Sequence, residues 1–249
     1  MKKLVKITAL ILVLVLAAMA FVGCGGKKKT LTMLTNAAFA PFEYLDAEGK
    51  VAGVDVEVAQ AIADELGYEL EVVDMDFDGI PAAIQAGKGD IGVAGMSITE
   101  ERMQYVDFST PYVNTTILIV VNEDSEITTV DDLSGKTIGV QLGTTSDLFA
   151  SDLDAEVARY KTSPDAIAEL LNGKIDAVIM DEMPANDALK NNDGLKILEE
   201  PLTTEEYAIA LAKDSELTDT VNKVLEKLVA DGVIDELVEK HMALAAEVG

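Results

Sequence analysis

Only two arginines, Arg102 and Arg159, stand among the nineteen basic residues of this 249-residue chain. Arg102 closes the segment Gly95-Met96-Ser97-Ile98-Thr99-Glu100-Glu101-Arg102, just after the apolar run Ile91–Ala94. Open α/β sheets bind their ligands at the carboxyl ends of such strands. A guanidinium there presents two parallel N–H donors that match a carboxylate. The alternative is a surface side chain paired with Glu100 or Glu101. Arg159 lies in a strand-like segment without that context and reads as surface. Asp181 follows a second apolar run, Ala177–Met180, where it either faces an ammonium group or caps the helix starting near Met183-Pro184. Gly143-Thr144-Thr145-Ser146-Asp147 opens a helix after Thr137–Gln141, and its N–H groups and hydroxyls suit an anion or an ordinary N-cap equally well. Phe39 and Phe77 each follow a strand-like run, and either line an apolar crevice or belong to the core.

Two tempting motifs fail on context. Gly87-x-Gly89-x-x-Gly92 matches a dinucleotide fingerprint, but that motif needs a strand before it and a helix after it, and here the order is reversed. Asp74-x-Asp76-x-Asp78-Gly79 matches the start of a calcium loop, yet Gln85 stands where a bidentate Glu belongs. Those acids read instead as turn residues capping the helix at Ile80. One His and one Cys cannot build a zinc, haem or iron–sulfur centre, so no metal or cofactor is expected. A formal charge of −26 excludes nucleic acid as a partner.

The elements that must position these residues follow a repeated rhythm. Strands are expected at Leu31–Thr35, Leu70–Val73 and Ile91–Ala94, with helices at Val54–Leu66 and Ile80–Ala86 between them. After Ile117–Val121 the rhythm restarts: strands at Thr137–Gln141, Val157–Tyr160 and Ala177–Met180, helices at Ser146–Leu153 and Ser163–Leu171. Ser163 is taken as the N-cap of the last helix, with Pro164 at its first position. Tyr207–Leu211 reads as one further strand, and Ser215–Val248 as two helices broken at Asp231-Gly232. Two βαβ series joined by an extended segment predict two α/β lobes without a flexible tether.

The N-terminus reads as an address. Lys2, Lys3 and Lys6 precede Ile7–Val22, an apolar run broken only by Thr8 and too short to span a bilayer. Phe21-Val22-Gly23-Cys24 looks like a bacterial lipobox, with Phe21 where Leu is usual. Residues 1–23 are therefore expected to be a lipoprotein signal peptide, Cys24 the lipidated mature N-terminus, and residues 24–30 a linker on the outer face of the cell membrane.

Several separated blocks then resemble one family, the polar amino-acid-binding proteins of bacterial ABC importers (bacterial solute-binding proteins, family three). They are Phe39-Ala40-Pro41-Phe42-Glu43, Gly53-Val54-Asp55-Val56-Glu57-Val58, Phe77-Asp78-Gly79-Ile80, Ala94 to Arg102, Val106-Asp107-Phe108-Ser109, Gln141-Leu142-Gly143-Thr144 and Asp176 to Asp181. The resemblance implies a type II periplasmic-binding-protein fold with mixed sheets flanked by helices. It puts lobe one at 31–112 plus 208–249, lobe two at 117–203, and a two-strand hinge at 113–116 and 204–207. It also implies that Arg102 clamps a ligand α-carboxylate with help from Ser97, Thr144 and Thr145. Asp181, the Gly95 carbonyl and Ser97 would hold the α-ammonium, with Met96 beside them, and Phe39 and Phe77 would sandwich the side chain. Asn36, Gln141 and Met180 would tune the choice, and their lack of charge points to a neutral polar amino acid such as glutamine. A monomer that delivers its ligand to a permease, with no reaction of its own, is expected. A cyclohexadienyl-dehydratase-like enzyme on the same scaffold is the alternative.

Overall fold

The computed structural model describes residues 29–248. The expected signal peptide, the expected lipidation site Cys24 and most of the expected 24–30 linker lie outside the described residues. Among those described, no helix is long and apolar enough to cross a membrane.

Two mixed sheets form two lobes. The first is built from β1 (Thr30–Thr35), β4 (Glu69–Asp74), β5 (Ile91–Gly92), β6 (Val106–Phe108) and β13 (Ala210–Ala212), in the order β4-β1-β5-β13-β6. β4, β1 and β5 run parallel, and β13 is antiparallel to both of its neighbours. A short hairpin, β2 (Tyr44–Leu45) with β3 (Val51–Ala52), flanks it. The second sheet combines β7 (Val113–Asn122), β8 (Thr137–Gln141), β9 (Glu156–Tyr160), β10 (Ala177–Asp181), β11 (Leu195–Ile197) and β12 (Thr203–Tyr207). Its order is β11-β7-β10-β8-β9, and β12 pairs with the start of β7.

Local chemistry sets the helix limits. In α1 (Val54–Leu66) the residues Val54, Val58 and Ile62 form a buried stripe, and Gly67, at φ 69°, ends the helix in the left-handed region. α2 (Ile80–Gln85) carries Pro81 in its first turn. α3 (Thr145–Ser151) is capped by Thr144, whose hydroxyl accepts the Asp147 N–H. α4 (Ser163–Leu171) is capped by Thr162, one residue earlier than expected, and Ser163 is already helical and buried. α5 (Glu182–Asn191) follows β10 without a break. α6 (Thr218–Ala230) and α7 (Val233–Ala245) meet at Gly232 and pack on α1 of the first lobe, sharing its core through Val221, Leu225 and Ile234.

Two further expectations are corrected. Tyr207–Leu211 is not one strand: Tyr207 ends β12 in the second sheet and Ala210 begins β13 in the first. Backbone groups at the crossover change partners without being orphaned, since the Ala208 N–H donates to the Met96 carbonyl and the Ile209 N–H to the Ser109 hydroxyl. The acids before Ile80 do not cap its helix. Asp74 accepts the Ala37 N–H at 2.9 Å, and Asp76 pairs with Lys161 of the second lobe.

Leu225 is fully buried in the cluster that holds Leu31, Val58 and Ile62. Leu225→Ala is expected to lower unfolding stability by ~2–5 kcal/mol, read by denaturant titration. An unchanged midpoint would mean that the C-terminal helices are not part of this core.

Candidate functional site

Strand ends from both sheets converge on one narrow cavity. β1 delivers Asn36 and the loop after it carries Phe39, while the turn after β5 carries Ala94, Gly95 and Ser97. From the other lobe, β8 ends at Gln141, α3 begins beside Thr144 and Thr145, and β10 ends at Asp181. Phe77 and Arg102 complete the expected lining, and Glu43 is an additional member. Gly95 has φ +51°, and a Cβ there would lie 2.6 Å from the Phe39 ring, so this position accepts only glycine without displacing the ring. Met96 is expected at the site but is placed elsewhere: its side chain is fully buried among Leu34, Ile84 and Val106. Met180 lines a separate, largely apolar cavity between α4 and α5, so it does not reach the convergence.

Arg102 is 8% exposed. Its Nη1 donates to the Ser97 carbonyl at 2.6 Å, its Nη2 donates to the Gly143 carbonyl of the other lobe at 3.0 Å, and the guanidinium stands 5.2 Å from the centre of the Phe77 ring. Among the described residues no carboxylate lies within ion-pair distance of it. Burial lowers its pKa to about 10, against the charges of Glu205, Asp181 and Glu101, so it stays protonated at neutral pH. Three of its five N–H groups have no protein acceptor. The surface-pairing alternative for Arg102 is thereby excluded. Arg159 is half-exposed and pairs with Asp147 at 2.9 Å.

Asp181 is the complementary charge. It occupies the N-cap position of α5, yet its side chain makes no capping bond and instead accepts the Tyr207 hydroxyl at 2.7 Å. Burial pushes its pKa up to about 7, against the Tyr207 hydrogen bond and the Arg102 charge, which favour the ionised form. Tyr207 is fully buried and stands edge-on to Phe42 at 5.1 Å, which fixes the hydroxyl that orients Asp181.

The amides expected to tune a ligand are bound to each other. Gln141 Nε2 donates to Asn36 Oδ1 at 2.9 Å across the lobes and to the Lys161 carbonyl at 3.0 Å, while its Oε1 accepts the Ser163 hydroxyl. Asn36 Nδ2 donates to the Met75 carbonyl. Either amide flipped would set oxygen against oxygen, so the orientations are fixed by the network.

Four groups escaped the sequence reading. Tyr207 falls inside the expected strand Tyr207–Leu211, and Glu205, one of forty-five acids, carries no local signal. Glu43 is fully buried, and its carboxyl faces that of Asp55, with which it makes a hydrogen bond only when one of the two is protonated. Burial first, and then the Asp55 charge, raise its pKa well above the usual carboxylate range. Asp55 lies beneath, accepting the Gly95 N–H and the Tyr112 hydroxyl, with its pKa pushed by burial up to about 6. The available signal was an acid embedded in an apolar run, at Phe42-Glu43-Tyr44 and again at Val54-Asp55-Val56.

A cavity walled by two lobes, lined by one buried cation and two buried carboxyl groups, none of them in an ion pair among the described residues, matches what the comparisons return. The profile of the bacterial extracellular solute-binding proteins, family 3, matches residues 31–243. The chain belongs to that family. An arginine-binding extracellular protein, ArtP, of Bacillus subtilis is 37% identical over 246 residues, spanning 93% of this chain and 96% of that protein. The crystal structure of the Streptococcus pneumoniae amino-acid ABC transporter substrate-binding protein AbpA, bound to L-arginine, superposes with a TM-score of 0.84 at 36% identity, covering 87% and 96% of the two chains. An ancestral arginine-binding protein bound to glutamine gives 0.81 at 42% identity, covering 86% and 98%. These family relatives are type II two-lobed solute-binding proteins, not enzymes.

Glu43, Asp55 and Asp181 all bind protons more readily folded than unfolded. Ligand-free stability is therefore expected to rise as pH falls from about 8 to about 5. Carboxylates held low, such as Glu57 and Asp107, oppose this only near the ordinary range of about 4. Thermal melting across pH reads the trend, and Asp181→Asn should flatten part of it. A wild-type stability that rises from pH 5 to pH 8 would contradict the assignment of buried, proton-holding acids.

Proposed function

We propose that this protein captures an amino acid outside the cytoplasm by closing its lobes around it, and delivers it to an ABC importer. The observation that carries the reading is the pair of buried charges without ion partners, Arg102 from one lobe and Asp181 from the other. A zwitterion satisfies both at once, and neither lobe does so alone. The α-carboxylate meets the free N–H groups of Arg102, and the α-ammonium meets Asp181 and the Gly95 carbonyl. Phe39 and Phe77 bracket the side chain. The lobes are 31–112 with 208–249, and 117–203, hinged where β7 and β12 cross near 113–116 and 204–207. Cys24 anchors the mature, monomeric chain by lipid to the outer face of the membrane.

For the side chain, Glu43 favours a cation. Asn36 and Gln141 have spent their hydrogen bonds on each other and on backbone carbonyls, so they have little left to read a ligand amide. A buried carboxyl whose neighbour is a second acid, Asp55, suits a planar guanidinium, which brings several donors in a fixed fork. Arginine is the first reading, in keeping with the arginine-binding relatives. Glutamine is the second: a protonated Glu43 can donate to an amide, and a related ancestral protein was crystallised with glutamine.

Calorimetry on refolded, ligand-stripped protein separates them. Arginine is expected to bind more tightly and to release more protons than glutamine near neutral pH, because its cation strips Glu43 as well as Asp181. Titrations in buffers of different ionisation enthalpy read the protons. Tighter glutamine binding with no extra release for arginine would reverse the order. Arg102→Ala should weaken either ligand by ~2–5 kcal/mol, since it leaves a buried charge contact unmade. Unchanged affinity would remove the clamp and the reading with it.

A further inference from the structure

Glu205 sits in the middle of β12, opposite Thr115 of β7. It does not line the ligand cavity. It lies in a threonine-rich groove formed with Thr99, Thr116, Thr203 and Thr204, which shares Thr145 with the ligand cavity. From there one carboxylate oxygen, Oε2, accepts two hydroxyls that do line the cavity: Ser97 of the first lobe by a short hydrogen bond, and Thr145 of the second at 2.8 Å. The crossing strand therefore grips both lobes through a single atom.

A hydroxyl has one proton and two lone pairs, and an ionised carboxylate only accepts. Ser97 and Thr145 spend their protons on Glu205, so only lone pairs remain for the cavity. Lone pairs receive an ammonium and repel a carboxylate. Glu205 is half-buried, and among the described residues no cation lies within ion-pair distance of it; the Arg102 charge acts on it only from farther off.

We propose that Glu205 is a positioning residue that sets which way round a zwitterion lies, by polarising the Ser97 and Thr145 hydroxyls so that both accept from the α-ammonium. This rests on the reading of the cavity as an amino-acid site. It also revises one expectation: the Ser97 and Thr145 side chains serve the ammonium, and the carboxylate is left to Arg102 and backbone N–H groups. Because the two hydroxyls come from different lobes, the same oxygen ties the lobes together when they close.

The test compares L-arginine with 5-guanidinopentanoate, and L-glutamine with glutaramate, the same molecules lacking the α-amino group. Dissociation constants are measured for wild type, Glu205→Ala, Glu205→Gln and Arg102→Ala. Wild type should prefer the amino acid strongly. Glu205→Ala frees both hydroxyls to donate, so the amino acid should weaken and the preference over the des-amino analogue should shrink by about tenfold or more, the worth of one to two hydrogen bonds. Glu205→Gln keeps a carbonyl acceptor and should restore part of the preference. A residue that merely supports the fold would weaken both ligands by the same factor. Equal weakening, or no change in either ligand, would overturn the proposal while leaving the amino-acid site intact. Wild type that binds neither amino acid, or Arg102→Ala that binds as wild type does, would overturn the amino-acid site and the proposal together.

Discussion

Two opposite charges, the Arg102 guanidinium and the Asp181 carboxylate, are buried in one cavity and come from different lobes. Burying an ion without a counter-ion at ion-pair distance is costly, and the protein offsets that cost with neutral hydrogen-bond partners and with opposite charges farther off. Arg102 donates to two backbone carbonyls and lies against the Phe77 ring. Asp181 takes one phenol hydroxyl and has its pKa raised to about 7. Each charge is held in place and neither is neutralised by the other, so the site matches a ligand that brings both signs.

The remaining contacts across the cleft decide how much work the ligand must do. Asn36 bonds Gln141, Arg102 reaches the Gly143 carbonyl, Asp76 meets Lys161, and Glu205 collects Ser97 and Thr145. The exposed Asp76–Lys161 pair contributes little. The buried contacts are made only when the lobes meet, and Gly143 permits that approach, since a Cβ there would lie 2.8 Å from the Cβ of Asp78. A ligand shifts the balance between open and closed forms only by its differential contacts with the two. The buried charged and titratable groups open to such contacts are Arg102, Asp181 and Glu43, which line the cavity.

Much of this arrangement was legible in the residues because it rests on local signals. The stripe Val54, Val58, Ile62 ended by Gly67 gave α1 to the residue. The apolar runs ending at Ala94, Gln141 and Met180 placed the site residues at strand ends. What escaped depended on tertiary pairing. Tyr207–Leu211 looks like one strand because all five residues are apolar or aromatic, and only the exchange of partners at Ala208 and Ile209 shows two sheets. Met96 and Ser97 are neighbours, yet one faces the core and the other the cavity, a distinction that the turn at Gly95 makes. Glu43 and Glu205 are two acids among forty-five, and nothing in their types tells the fully buried one from the one that accepts two hydroxyls.

The central claim is that a zwitterion completes two charges held in separate lobes. It is tested most directly by the distance between spin labels at Lys88→Cys and Lys174→Cys, one on each lobe, in the lipid-free chain beginning at Lys29. L-arginine should collapse a broad distribution to a single short distance, while agmatine, which lacks the carboxylate, and 5-guanidinopentanoate, which lacks the ammonium, should leave it broad at the same concentration. Full closure by either truncated ligand would show that one charge suffices, and would contradict the account.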